Sequence, residues 1–345
     1  MKKVVSLLLS GILVASMTLL AACGGGGATP APAGNSGESG VAGGTAAPVE
    51  FKIAFCTWIG YAPLYIAQDQ GYFEEFGISP TLEIIEDESQ YAAALYSNSI
   101  QALGNVLDRE VVHFASGTPE QVIFSMDESS GGDGIIASGD IKTVADLKGK
   151  TIGLDKSSTS YFFFLTILEA NGVEESEVTI QEMGADDAGT AFIAGNLDAA
   201  VVWEPYLTEA SNREGGHVLA SSADYPKTIV DVMVMRTDFI EANPDAARGL
   251  AAAWYKAIEF YKANPDEGNR IMAEGLELDV EDIAGMAEGV TFMGAEENIT
   301  FFDRSTEDNI FEVAQRASDF WFNLGLIDAG IDVDAFISTE FYRAG

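Results

Sequence analysis

Between Val49 and about Ser211 the chain switches repeatedly between two hydrophobic periodicities, and that alternation restricts the fold more than any other feature. "VEFKIAFCTW" sets Val49, Phe51, Ile53 and Phe55 two residues apart, the spacing of one face of a strand. "IGYAPLYIAQDQGYF" follows, with Pro63 suited to the first turn of a helix and Gly71 to its end. "TLEII" and "EQVIFSM" read as further strands, with the helix "SQYAAALYS" between them. The order then returns. A strand over 150–155 leads through "KSSTS" into an apolar helix stopped by Asn171-Gly172, and "EVTIQEM", "AGTAFIAGN", "LDAAVVW" and the Pro-led "PYLTEASNREGG" alternate after it. Strands joined by helices build layered α/β sheets, because parallel neighbours need a crossover and a helix is the usual one.

After Asn243 the pattern becomes helical. Leu250, Trp254, Ile258 and Tyr261 recur at spacings of three and four and form a core-facing stripe. Further helices are predicted over 265–274, 280–288 and 306–324. No repeat of solenoid period is present.

The first 49 residues have a different character. Lys2 and Lys3 precede an apolar run from Val4 to Ala22, the layout of a secretory leader. Leu20-Ala21-Ala22-Cys23 resembles a bacterial lipobox, which implies a leader over 1–22, acylation of Cys23 and a flexible linker over 23–49. Acyl chains would anchor the protein, each buried methylene adding roughly 0.8 kcal/mol. A Gly, Ala, Pro and Ser linker of this length reaches on the order of 28 Å. The expected address is extracytoplasmic and lipid-anchored. With Cys23 acylated, Cys56 stands alone and no disulfide supports the body.

Charge excludes some partners. Against 54 acidic residues stand 18 basic ones, for a net charge of −36. A surface of this sign repels nucleic acid and anionic headgroups. No block of like charge forms a tail, so the acid is spread over a folded surface.

Five stretches in order, "WIGYAPLYIAQDQGYFEEFGI", "DESSGGDGIIA", "IKTVADLKGKTIGL", "AGNLDAAVVWEPYL" and "NPDAARGLAAAWYKAIEFYKANPDE", resemble the solute-binding proteins of ABC importers for nitrate, sulfonates, taurine and thiamine precursors. The resemblance implies a periplasmic-binding-protein type 2 fold: two doubly wound α/β lobes joined by two crossing strands, closing over a solute in the cleft. It places the crossings near 134–138 and 232–237. Lobe 1 is then 50–137 with 238–345, and lobe 2 is 138–237. The implied partners are a small-molecule solute and an ABC permease and ATPase complex.

Such a cleft needs polar groups at strand ends and helix starts, contributed by both lobes. Trp58 and Tyr61, at the end of the first strand, can stack on a solute. Asn105 follows a strand and serves either as a contact or as a helix cap. One hydroxyl of "KSSTS" must cap its helix, which leaves others free for a ligand; Ser158 and Thr159 are the expected contacts. Trp203 and Glu204 sit at another strand-to-helix junction, and Asp231 is a charge within an apolar strand that must be partnered if buried. Asp127 has the same status, and a structural role is open for all three acids. These motifs hold no cation except Lys156, whereas an oxyanion site calls for Arg or Lys. Acids and rings suit a solute with amine or ring-nitrogen donors, such as an aminopyrimidine or a zwitterionic sulfonate.

Thiamine-pyrimidine synthases share this fold, but their chemistry needs a lysine and histidines, and His113 and His217 lie in no pocket motif. No metal-ligand spacing, nucleophile elbow or phosphate loop is present, so the chain is expected to be no enzyme and to use no cofactor or metal. A solute-sensing lipoprotein is the alternative on the same fold.

Overall fold

In the computed structural model, residues 47–343 are described; the expected leader, Cys23 and nearly all of the linker lie outside them. Eleven strands among the described residues form two sheets. They are β1 (Val49–Phe55), β2 (Ile78–Ile84), β3 (Ala102–Val106), β4 (Glu120–Ser129), β5 (Asp133–Ser138), β6 (Thr151–Leu154), β7 (Thr179–Glu182), β8 (Ala199–Trp203), β9 (Gly216–Ser221), β10 (Val230–Arg236) and β11 (Val290–Phe292). The first sheet runs β11-β4-β10-β3-β1-β2 and the second β7-β6-β8-β5-β9. In the first, β1 pairs in parallel with β2 and β3, while β10 runs antiparallel between β3 and β4. The second repeats that logic, with β6 parallel to β7 and β8 and with β5 antiparallel to β8 and β9.

Each sheet therefore holds a parallel part built by strand–helix alternation and an antiparallel part built by the connections between sheets. Those connections lie earlier than the sequence reading put them. The chain leaves the first sheet through Ser130-Gly131-Gly132, because Asp133 is already paired with Trp203 in the second. Gly131 has φ +132°, open to glycine at little strain, and a Cβ on Gly132 would meet the Trp58 ring at 2.5 Å. The chain returns between Ser222 and Ile229, and β10 then pairs with β4 along its whole length. Residues 134–138 and 232–237, expected to cross, thus lie within one sheet each or just beyond its edge. Ser222 ties the two connections together: its Oγ is 2.7 Å from Ser129 Oγ and accepts from Gly131 N at 2.8 Å.

Helices after β10 pack on the first sheet. Helix Pro244–Ala263 lies against β2, β4 and the helix Pro63–Asp69. Its buried face contains Leu250, Trp254 and Ile258 of the sequence stripe, while Tyr261 sits at the margin, packed on Phe292. Trp254 is fully buried, lies over Phe124 at 6.1 Å and donates its Nε1–H to Met293 O at 2.9 Å. Truncating such a ring leaves a cavity and removes the shorter of the two hydrogen bonds to Met293 O. Trp254→Ala is expected to lower stability by about 3–5 kcal/mol in chemical denaturation, and a loss below about 1 kcal/mol would contradict this packing.

Candidate functional site

The ends of β1 and β8 and the starts of β5 and β10 meet around a small cavity of about 20 Å³ between the two sheets. At the end of β1 the chain turns through Ile59–Tyr61 before Pro63 begins a helix, which directs Trp58 and Tyr61 inward. Trp58 Nε1 donates to Asp127 Oδ1 at 3.2 Å, and the Tyr61 hydroxyl donates to Asp231. Gly60 permits this turn, since a Cβ there would lie 2.1 Å from Trp58 Nε1 and 2.2 Å from Asp127 Oδ2. From the second sheet come Asp133 and Trp203, paired residues of β5 and β8. Thr159, in the first turn of helix Thr159–Ala170, and Glu88, in a short turn after β2, complete the polar lining, with Cys56, Val106 and Ile229 as its apolar part.

Two hydrogen bonds span the cavity. Thr159 Oγ1 donates to Asp108 Oδ1 at 2.9 Å, and Trp203 Nε1 donates to Thr57 O at 3.3 Å. Outside them, Phe162 meets Phe320 edge-on at 4.8 Å, joining helix Thr159–Ala170 to helix Ile310–Asn323. Both halves therefore supply side chains to one enclosed space, and that space brings polar contacts with it.

Its electrostatics are those of buried acid without counter-ions. Asp127 and Asp231 face each other across the β4–β10 pairing. Burial, and then the Asp231 charge, hold Asp127 well above the usual carboxylate range, and Asp127 Oδ2 has no hydrogen-bond partner. Asp231 is pushed up to about 7 by burial, against the bond from Tyr61. Burial raises Asp133 to about 8, offset in part by Ser129 and reinforced by the charges of Asp231 and Glu204. Glu88 also rises to about 8, through burial and Asp155, against the pull of Arg109. Burial likewise lifts the Cys56 thiol, which keeps it protonated and poorly nucleophilic. None of the lining residues is Lys, Arg or His.

Five of the eight expected contacts, Trp58, Tyr61, Thr159, Trp203 and Asp231, are brought together here. The other three are engaged nearby. Asn105 donates its amide to Glu110, and Ser158 caps its helix, accepting from Ser160 N at 3.3 Å. Glu204 accepts from Thr208 N at 3.0 Å and Thr208 Oγ1 at 2.7 Å, tying down the start of helix Tyr206–Ser211. Lys156 is paired with Glu175 at 2.9 Å, outside the lining. Asp133, Glu88 and Cys56 were not anticipated. Asp133 had a signal, an acid placed between paired glycines and an apolar strand, whereas Glu88 reads locally as turn chemistry.

The family model described as NMT1/THI5 like matches residues 58–268. A putative aliphatic sulfonates-binding protein of Bacillus subtilis (strain 168) is 25% identical over 290 residues, 82% of this chain and 84% of that one. The taurine-binding periplasmic protein of Escherichia coli (strain K12) is 24% identical over 264 residues, 73% of this chain and 82% of its own. Among solved structures, the periplasmic aliphatic sulphonate binding protein SsuA from Escherichia coli superposes with a TM-score of 0.71 at 20% identity, covering 86% of this chain and 99% of that one. That likeness is one of fold: two α/β lobes of the periplasmic binding protein kind.

The raised acids make a signed prediction. A carboxyl with a folded pKa above its unfolded value of about 4 binds more protons when folded, so its contribution is full below about pH 4 and is lost as pH rises through the folded value. For Asp133 that window runs from about 4 to about 8. The thermal midpoint of the ligand-free protein is expected to fall across it, and to fall less in Asp133→Asn. Equal slopes in the two proteins would contradict the assignment.

Proposed function

Because the chain belongs to the NMT1/THI5-like family, we propose that it is the extracytoplasmic solute-binding component of an ABC importer, holding a small organic solute between its lobes and delivering it to a permease. The observation that supports this most is a cavity whose rings and acids come from both sheets and whose bridging hydrogen bonds join them. Such contacts exist only in the closed arrangement, so a solute that satisfies the same groups favours closure. The lipobox-like Leu20-Ala21-Ala22-Cys23 supports attachment to the membrane through Cys23.

The solute is rich in donors. At about 20 Å³ the cavity of this closed arrangement is far below the roughly 300–1,000 Å³ usual for ligand sites, so the lobes must part or the lining side chains shift to admit a solute. Three aromatic residues and three carboxyl groups, with no lining cation, favour an ammonium, an amidine-like ring or a zwitterion over a simple oxyanion. A taurine-like zwitterion and an aminopyrimidine both meet this description; nitrate does not. Binding without catalysis fits the protonated thiol at Cys56 and the placement of His113 and His217 away from the lining.

Calorimetric titration with taurine, a 4-aminopyrimidine, a simple alkanesulfonate and nitrate tests the reading. A nitrogen-bearing organic compound is expected to bind, and Trp203→Ala to weaken it at least tenfold, about 1.4 kcal/mol. Tight nitrate binding with no organic binder would overturn the proposal. Solute uptake in a deletion strain separates import from sensing, since unchanged uptake would favour a sensor.

A further inference from the structure

Away from the cleft, on the outer part of the first sheet, two carboxyl groups are buried with almost nothing to balance them. Helix Leu107–Ala115 carries Glu110 and His113 one turn apart on one face, and Glu120 opens β4 just after the turn at Gly117. One ligand atom from each of the three lies within 4.8 Å of the other two. Glu110 and Glu120 are fully buried. Neither oxygen of Glu120 has a hydrogen-bond partner, nor does Glu110 Oε2. Glu110 Oε1 takes the Asn105 amide and lies 3.0 Å from His113 Nδ1, the one ion-pair partner either acid has among the described residues. The nearby Arg109 guanidinium is placed over the Trp321 ring, 5.3 Å from its centroid, and forms no ion pair with either acid.

We propose that Glu110, His113 and Glu120 bind one divalent metal ion of the zinc type. A dication balances two carboxylates that would otherwise be isolated charges in a low-dielectric interior, which is far costlier than any single unmade hydrogen bond. Imidazole nitrogen and carboxylate oxygen are both ligand types that zinc accepts, and three protein ligands leave a fourth position for water. Asn105, committed by its amide to Glu110, then orients a metal ligand and not a solute, which accounts for its position outside the cleft. The His113 side chain is 13% exposed and provides the route from solvent. The ion would pin helix Leu107–Ala115 to the start of β4, and this helix carries Asp108, the acid that receives Thr159 from the other half. No ligand spacing in the sequence announced the site, because Glu120 joins the other two only through the fold.

The full chain, stripped with chelator, is titrated with zinc chloride by calorimetry and followed by thermal unfolding, with cobalt(II) absorption as a report on ligation. One equivalent is expected to bind, raising the midpoint on the order of 5 °C at a hundredfold excess over the dissociation constant. Glu120→Gln and His113→Ala are each expected to weaken binding at least tenfold, and His113→Ala to alter the cobalt band. Three outcomes would overturn the proposal. One is no stoichiometric site. Another is binding undiminished in both variants, which would assign the metal to surface acids. The third is a wild type unaffected by zinc while metal-free Glu120→Gln becomes more stable, which would show that a shared proton balances the two acids.

Discussion

The constraint that organises this molecule is the placement of carboxyl groups where they can be neither hydrated nor paired with a cation. Asp127 and Asp231 stand opposite each other on adjacent strands, Asp133 enters from the second sheet, and Glu88 closes the far side. Like charges at such separation in a low-dielectric space cannot all ionise, so protons, hydroxyls and indole N–H groups must satisfy them. Trp58 and Tyr61 do this from the first sheet, one bonded to each member of the facing pair. A guest with several N–H donors offers the same satisfaction with more bonds.

That chemistry depends on two halves meeting, and the connections between the sheets are built to bring them together. Both run side by side at the floor of the cavity, joined by the Ser129–Ser222 contact and by the bond from Gly131 N to Ser222. A pair of glycines carries one connection because the Trp58 ring fills the space that a side chain at Gly132 would need. The floor and the aromatic wall are therefore one piece of packing. Movement concentrated in 130–132 and 222–229 would separate Thr159 from Asp108 and Trp203 from Thr57 while leaving both sheets intact.

Much of the architecture was legible in the residue pattern, and the parts that were not share a physical cause. Period-two alternation in Val49–Phe55 and the apolar run before Trp203 announced strands, and proline-led stretches announced helices at Pro63, Pro244 and Pro265, because these signals are local. The positions of the sheet connections were misjudged because membership of a sheet is decided by pairing with distant residues: Asp133 belongs to the second sheet through Trp203, seventy positions away. The same divide appears at the site. Four consecutive hydroxyls after Lys156 told of a cap and a spare, and only the fold distinguishes Ser158, which caps, from Thr159, which reaches Asp108. Glu204 and Asn105 stand at strand ends as expected, but a backbone amide and a neighbouring glutamate already hold their polar atoms. Glu88 was hidden because an acid in a turn after a strand is normally a solvated one, and its burial is a tertiary fact.

The account stands or falls on closure driven by a solute that satisfies buried acid from both halves. Small-angle X-ray scattering of the purified protein, alone and saturated with a nitrogen-bearing organic compound shown to bind, measures it most directly. The radius of gyration and the maximum dimension are predicted to decrease on binding, with the decrease lost when Asp231→Asn replaces the wild type at the same compound concentration. Superimposable scattering curves for the free and saturated wild-type protein would contradict it.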